Sequence, residues 1–189
     1  VRAITGSTPI GTGHVTTWAM LVADRLAIPL DDGAIVYGDT DLVPSGDTTG
    51  GSRSVQLAGS AMVDASDKLV DAARQVVADL LEAAVDDVVL DREGGGFHVA
   101  GTPALSRTWA EVGAATQGSG EGLSGLSDFS QDGATFPFGT HLVVVDVDTE
   151  TGSVVVNRIV AVDDAGILVN PLLAAGQIHG GLAQGVAQA

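Results

Sequence analysis

The segment from Gly139 to Asp164 reads GTHLVVVDVDTETGSVVVNRIVAVDD and contains two runs rich in β-branched residues. The runs cover residues 141–148 and 154–163, and the polar sequence TETG lies between them. β-branched residues favour extended backbone, and a glycine-containing turn between two such runs is typical of a hairpin. We therefore predict one long antiparallel hairpin in this segment.

Helices and further strands are predicted on both sides of this hairpin. On its amino-terminal side, apolar periodicity predicts strands at 1–6, 34–37, 88–90 and 97–99, and helices at 14–28, about 54–84 and 108–112. After Asn170-Pro171, a helix interrupted by glycine is predicted to continue to the last residue. Because helices are mixed with hairpin-linked strands, we predict an α+β fold with helices layered on mixed or antiparallel sheets, not a doubly wound parallel sheet.

The predicted elements fall into three parts along the chain. Residues 1–112 form a lobe with Gly-rich helix starts, residues 113–135 a flexible connector rich in Gly and Ser, and residues 136–189 the hairpin with the Gly-rich helix. The first residues resemble the inside of a strand and not a signal peptide, and the last ones fall within a helical pattern. We therefore expect an internal piece of a longer polypeptide.

The composition excludes several classes of partner and site. The 189 residues include 8 basic and 24 acidic ones, and a net charge of −16 repels phosphodiester backbones and anionic lipids. The absence of cysteine excludes disulfides, iron–sulfur ligation, thiolate zinc sites and thiol nucleophiles from these residues. No apolar run approaches the roughly 20 residues that span a bilayer. We predict a cytoplasmic protein without nucleic-acid or membrane partners.

Two glycine-rich segments at helix starts are candidates for ligand binding. Gly11-Thr-Gly-His14 follows a predicted strand and starts a helix, and Thr48-Thr-Gly-Gly-Ser-Arg-Ser54 also leads into a helix. Glycine lets the backbone approach a ligand, and the free N–H groups of a first helical turn bind anions. The second segment adds hydroxyl donors and, in Arg53, a guanidinium suited to bidentate contact with phosphate.

A third segment, GQIHGGLAQG, runs from Gly176 to Gly185 and places Gln177 and Gln184 near one helical face. Their amides offer both donors and acceptors, as needed to read the edge of a heterocycle. Each segment alone has an ordinary structural explanation as a tight turn, a hinge or a solvated surface. Three of them in one chain indicate a ligand that carries phosphate, held by backbone N–H groups.

Other groupings of reactive side chains are assigned no function. The four histidines show no metal-ligand spacing. Asp39, Asp41 and Asp47 lack the spacing of an EF-hand loop, and we expect loop-capping carboxylates instead. Neither a Gly-X-Ser-X-Gly nor a Gly-Lys-Ser/Thr motif is present, which argues against hydrolase and NTP-hydrolysing functions. No residue is assigned as catalytic or as a metal ligand.

Taken together and in order, the motifs resemble those of the molybdopterin-binding large subunit of the xanthine dehydrogenase, aldehyde oxidase and carbon monoxide dehydrogenase family. The resemblance covers nearly the whole chain and is specific as a set. The matching stretches are Thr5-Gly6, Gly11-Thr-Gly-His14, Thr16, Val36-Tyr-Gly-Asp-Thr-Asp41, Thr49-Gly-Gly-Ser-Arg-Ser54, Phe138-Gly-Thr-His141, Asp146-Val-Asp148-Thr149-Glu-Thr-Gly152, Asp163-Asp-Ala-Gly166, Asn170-Pro171 and Gly176–Gly185.

This resemblance implies a fold of the molybdenum-cofactor-binding domain type and a molybdopterin cofactor that carries molybdenum, in the cytosine dinucleotide form. It implies oxidative hydroxylation of an aldehyde, a heterocycle or carbon monoxide by the whole subunit. It also implies iron–sulfur and flavin (FAD) groups on partner subunits or domains, which take the electrons. The residues implied to line the pterin and phosphates are Gly11, Thr12, Gly13, Gly50, Gly51, Ser52, Arg53 and Gln184.

The chain departs from the family pattern at two points. The family usually has Gln in the middle of the first motif, where this chain has Thr12, which keeps a hydroxyl but has less reach. The family's general base is a Glu in a Gly-rich loop that these residues do not contain, so the isolated chain is expected to be inactive. A second hypothesis, favoured by Thr12, is a non-catalytic nucleotide- or pterin-binding module, either a degenerate relative or a maturation factor. A purely structural acidic domain would leave the Gly-rich helix starts unexplained.

Overall fold

Two units make up the chain, Val1–Gln131 and Asp132–Ala189. The structure is a computed structural model that describes residues 1–43, 45–46, 48–117 and 122–189. Helices occur with a parallel strand pair, a three-stranded antiparallel sheet and a hairpin, in agreement with the predicted α+β class. None of the helices in the described part of the chain has the length and hydrophobicity of a membrane span.

The first unit begins with a β-α-β arrangement. Strands β1 (Arg2–Thr5) and β2 (Ala34–Tyr37) pair in parallel along their whole length, and helix α1 (His14–Leu26) connects them. The predicted strands and helix are confirmed here. The helix ends two residues before the predicted end because Ala27 adopts the left-handed conformation, with φ of 51°. Its N–H bonds to the carbonyl groups of the last turn and so caps the helix.

The long helix of this unit has an irregular start. A π-helical turn, Val55–Gly59, precedes α2 (Ser60–Leu81), where the sequence predicts one helix over about 54–84. Gly59 lies close to α1. A Cβ at this position would be only 3.2 Å from Cδ1 of Leu21. The two helices can therefore pack closely at this point. The buried apolar side chains that they contribute are Trp18, Val22, Leu26, Ala58, Met62, Val70, Ala73, Val77 and Ala78.

A small antiparallel sheet covers another side of this core, with β4 (Phe97–Val99) between β3 (Val88–Leu90) and β5 (Thr102–Arg107). The predicted hairpin of β3 and β4 is confirmed, whereas β5 is not among the predicted strands. Phe97 is buried and meets the ring of Trp109 edge-on, with centroids 4.8 Å apart. The indole N–H of Trp109 donates to the carbonyl of Leu26 at 2.9 Å, which ties the sheet region to the end of α1.

Helix α3 (Trp109–Thr116) extends four residues beyond the predicted short helix. It starts with a capping box between Thr108 and Glu111. Residues 118–121 of the predicted connector lie outside the described residues. Further along, the carbonyl of Leu126 accepts from Nζ of Lys68 at 3.1 Å, and the hydroxyl of Ser127 donates to Asp64 at 2.5 Å. This part of the connector therefore lies along α2, while the division into three domains stays a prediction.

The second unit contains the long hairpin and one helix. Strands β6 (Phe138–Val147) and β7 (Val154–Asp164) pair antiparallel, as predicted, with one irregularity in register between Val144 and Val145. The carboxylate of Asp148 accepts the N–H groups of Glu150 and Thr151 and so holds the turn. Helix α4 (Pro171–Gln188) starts after Asn170, whose side chain accepts the N–H of Leu173 at 3.1 Å. This confirms the predicted helix after Asn170-Pro171.

Candidate functional site

The first glycine-rich segment forms a sharp turn between β1 and α1. Gly11 and Gly13 have φ of 92° and 80°, values that side-chain-bearing residues rarely adopt. A Cβ at Gly11 would meet nothing within 4 Å, so this backbone faces open space. Gly13 is the N-cap of α1, and among the described residues no side chain caps this helix start. The first turn also has no acidic residue, so no carboxylate of this turn competes with a ligand for its N–H groups.

The second glycine-rich segment has the same character at the start of the π-helical turn. Gly51 has φ of 64°, and Ser52 follows in the left-handed region with φ of 55°. Such a conformation is strained for a residue with a side chain, and strain of this kind is found at ligand-binding turns. Gly50 faces open space, and Ser52 and Arg53 are exposed. Within the described residues, no side chain caps this helix start either.

Hydrogen bonds through His14 connect the two segments. Nε2 of His14 lies 3.0 Å from Oγ1 of Thr12, and Nδ1 lies 3.4 Å from Oγ1 of Thr49. Thr49 also donates to the carbonyl of Thr8 at 2.5 Å, and a parallel bridge joins Thr8 to the neighbouring Thr48. The structure therefore brings the two segments together just beyond β1, with the imidazole between them.

The ring of His14 is held in a partly apolar environment. It stacks on Trp18, with ring centroids 5.2 Å apart and an angle of 30° between the planes. Partial burial lowers the pKa of His14 below its ordinary value of 6.5. The imidazole is therefore neutral near pH 7, with one nitrogen that donates and one that accepts.

The starts of α3 and α4 differ from these two helix starts because their own side chains use the free N–H groups. Thr108 accepts from the N–H of Glu111 at 3.2 Å, and Glu111 accepts from the N–H of Thr108 at 2.7 Å. The side chain of Asn170 caps α4 by accepting the N–H of Leu173. The starts of α1 and of the π-helical turn carry no side-chain cap within the described residues, and an uncapped helix start can bind an external anion.

Gln184 belongs to the second unit, whereas the other seven predicted site residues belong to the first. It is exposed on α4 and lies on the same side of this helix as Gln177, seven residues earlier. The glycines of this segment lie inside the helix and not at its start. This segment therefore offers side-chain amides to a ligand, whereas the first two offer backbone N–H groups.

His14 and Thr49, which connect the two segments, are not among the site residues predicted from the sequence. Both stand next to predicted residues, since His14 follows Gly13 and Thr49 precedes Gly50. Their position beside predicted site residues is the only feature of the sequence that points to them. In the acidic loop, the carboxylate of Asp39 accepts the N–H groups of Asp41 and Leu42, which confirms its predicted loop-capping role. Asp47 lies outside the described residues.

Comparison with known proteins gives consistent matches over nearly the whole chain. A family model described as molybdopterin cofactor-binding domain matches residues 1–189. The carbon monoxide dehydrogenase large chain of Hydrogenophaga pseudoflava is 38% identical over 189 residues, covering 97% of this chain and 23% of that protein. This chain therefore spans about a quarter of the length of that relative.

Solved structures agree in both sequence and fold. A Cu,Mo-CO dehydrogenase in its carbon monoxide reduced state superposes with a TM-score of 0.86 and 36% identity, covering 96% of this chain and 23% of that one. Quinoline 2-oxidoreductase from Pseudomonas putida superposes with a TM-score of 0.85 and 30% identity, covering 99% of this chain and 24% of that one. The predicted fold type is confirmed by these neighbours.

Proposed function

The chain belongs to the molybdopterin cofactor-binding domain family, and on that premise we propose that its glycine-rich segments bind the pterin and phosphates of molybdopterin. The observation that carries this proposal is the pair of helix starts without side-chain caps, joined through His14. The residues proposed to bind the cofactor are Gly11, Thr12, Gly13, Gly50, Gly51, Ser52, Arg53 and Gln184.

The chemistry of these groups fits a phosphorylated pterin. Phosphate oxygens accept hydrogen bonds, and the two helix starts supply backbone N–H donors. Ser52 adds a hydroxyl, and the guanidinium of Arg53 has the geometry for a bidentate phosphate contact. Backbone donors also explain how a chain with a net charge of −16 can hold an anion. The amide of Gln184 offers a donor and an acceptor to a heterocycle edge.

The open space in front of Gly11 and Gly50 supports a ligand at these positions. A Cβ at either glycine would meet nothing within 4 Å. Packing within the chain therefore does not require glycine at Gly50, whose φ is not positive. A ligand that approaches the backbone closely does require it, because a side chain would occupy the same space.

For the whole polypeptide we propose a molybdenum-dependent oxidoreductase. The support is that this chain resembles a carbon monoxide dehydrogenase and a quinoline 2-oxidoreductase. When bound, the cofactor supplies two-electron chemistry at molybdenum, for oxidative hydroxylation of an aldehyde, a heterocycle or carbon monoxide. The residues of this chain bind and orient the cofactor. We further propose the cytosine dinucleotide form, a cytoplasmic location, and iron–sulfur and flavin partner subunits or domains that take the electrons.

The variant Gly50→Val tests cofactor binding at the second segment. We expect the whole polypeptide carrying this change, made in a host that synthesises the cofactor, to fold normally and contain much less molybdenum than the wild type. A Cβ at this position meets no atom beyond its chain neighbours within 4 Å, and the valine side chain is expected to fill the space assigned to the ligand. The measurement is the molybdenum and nucleotide content of the purified protein.

Gly113→Val is the matched control, because Gly113 of α3 also faces open space but lies outside the proposed site. It should leave the cofactor content at the wild-type level. If Gly50→Val carries as much cofactor as Gly113→Val, this segment does not contact the cofactor. The alternative of a non-catalytic binding module, favoured by Thr12, predicts nucleotide or pterin binding without turnover in the whole polypeptide.

A further inference from the structure

The hydroxyl proton of Thr49 determines the direction of the hydrogen bonds around His14. A hydroxyl has a single proton, and a carbonyl oxygen can only accept. Because Thr49 lies 2.5 Å from the carbonyl of Thr8, its proton is committed to that bond. Towards Nδ1 of His14, at 3.4 Å, Thr49 can offer only a lone pair. The ring nitrogen Nδ1 must therefore carry the proton in this contact.

The tautomer of His14 determines the role of Thr12. A neutral imidazole has one N–H, so a proton on Nδ1 leaves Nε2 as an acceptor. Partial burial, which lowers the pKa of His14, favours this neutral form at pH 7. The hydroxyl of Thr12, 3.0 Å from Nε2, then donates its proton to the ring. The ring also stacks on Trp18, which restricts rotation of its plane.

We propose that Thr12 meets the bound cofactor as a hydrogen-bond acceptor and that His14 is the positioning residue that sets this direction. The proposal rests on the proposed function, since it concerns the same site. With its proton facing the ring, the Thr12 oxygen presents only lone pairs to a ligand. It selects an N–H or O–H donor, such as the edge of a pterin, and disfavours a phosphate oxygen, which also only accepts.

The glycine-rich segments therefore offer hydrogen-bond donors to the phosphates and an acceptor to the heterocycle. Phosphate oxygens pair with backbone N–H groups and with Ser52 and Arg53, which are donors. The heterocycle pairs with Thr12, which is an acceptor. The cofactor is thereby oriented by complementary donors and acceptors and not by charge alone.

The tautomer of His14 is the first test, and it is independent of any ligand. Long-range proton–nitrogen spectra of the whole polypeptide labelled with ¹⁵N-histidine report which ring nitrogen is protonated, and the variant His14→Phe identifies the His14 signals. We expect Nδ1 to be protonated. In Thr49→Val, which removes the acceptor of that proton, we expect the population to move towards protonated Nε2. Protonated Nε2 in the wild type would overturn the proposal, because Thr12 would then accept from the ring and turn its proton outward.

Cofactor release is the second test. We expect Thr12→Val to release molybdenum and nucleotide about fivefold faster than the wild type, as the loss of one hydrogen bond of about 1 kcal/mol implies. Thr12→Ser, which keeps the hydroxyl, should release them at the wild-type rate. In Thr12→Val, the further change His14→Phe should have little additional effect, because both changes disrupt the same contact.

The outcomes separate this inference from the proposed function. A wild-type protein that holds cofactor, together with a Thr12→Val variant that releases it at the same rate, would overturn the role of Thr12 alone. A wild-type protein without molybdenum or nucleotide would overturn both the function and the ligand contact. The tautomer result would then still report on the internal hydrogen bonds.

Discussion

His14 connects the two glycine-rich segments, and its lowered pKa predicts how the stability of the protein depends on pH. Burial lowers the pKa in the folded protein below the value of 6.5 in the unfolded chain. A neutral imidazole therefore contributes stability that is fully present above pH 6.5 and is lost as the pH falls through 6.5 towards the lower folded pKa. We expect the wild type to lose more stability over this range than His14→Phe, which cannot titrate.

The measurement is the urea midpoint of the chain between about pH 8 and pH 5 for both proteins. Phenylalanine keeps an aromatic ring against Trp18, and the other titrating groups are common to both proteins. The difference between the two curves therefore isolates His14. Curves that stay parallel across this range would contradict the partly buried, neutral imidazole.

Single residues also show what the sequence can and cannot predict about the site. The positive φ values at Gly11, Gly13 and Gly51 follow a local pattern, because glycine at a helix start predicts such a turn. The link from His14 to Thr49 joins residues 35 positions apart, and nothing in either local sequence predicts it. The hydrogen-bonding role that we propose for Thr12, where the family usually has Gln, depends on this contact between His14 and Thr49.

At the scale of elements, the capping groups divide the helices into two kinds. Thr108→Ala removes the capping box of α3, and we expect it to destabilise that helix by about 1 kcal/mol. Hydrogen exchange of the α3 amide groups in the whole polypeptide measures this directly, since it reports local opening.

Ser54→Ala at the start of the π-helical turn is the comparison for that prediction. Ser54 makes no side-chain cap, and its hydroxyl lies at the long distance of 3.5 Å from Thr49. We expect a local change of about 0.5 kcal/mol or less, the range typical of surface positions. Equal losses in the two variants would mean that Ser54 caps this helix start after all, and would weaken the assignment of its donors to a ligand.

Elements differ in how well the sequence predicts them, for physical reasons. The hairpin of β6 and β7 is evident because both strands are dense in valine and flank one turn. Strand β5 has the sequence TPALSR, where Pro103 cannot donate to a neighbour and Leu105 is the only large apolar residue. Its pairing with β4 depends on tertiary context. The π-helical turn ends at Gly59, which lies against Leu21 of α1, and the local sequence does not predict this contact.

At the scale of the whole molecule, the two units differ in how much of their apolar surface is buried. The first unit has a core that includes the fully buried side chains of Trp18, Phe97 and Val77. In the second unit, all of whose residues the structure describes, no residue is buried, and valines along both hairpin strands are exposed. A hairpin without a covered apolar face is only marginally stable in water.

We therefore expect residues 132–189, produced alone, to be largely unfolded, and residues 1–131 to keep their fold. Far-ultraviolet circular dichroism with thermal unfolding distinguishes the two cases. A cooperative transition in the 132–189 fragment would contradict this expectation, because too little apolar surface is buried in this unit to offset its conformational entropy.

We propose above that this chain binds molybdopterin and that the whole polypeptide is a molybdenum-dependent oxidoreductase. The most direct measurement is the molybdenum-to-protein ratio of the whole polypeptide, with a test for cytidine nucleotide released by acid hydrolysis. We expect one molybdenum per polypeptide and released cytidine nucleotide when the protein comes from a host that makes the cofactor. If protein from such a host contains no molybdenum and releases no nucleotide, the proposal is contradicted.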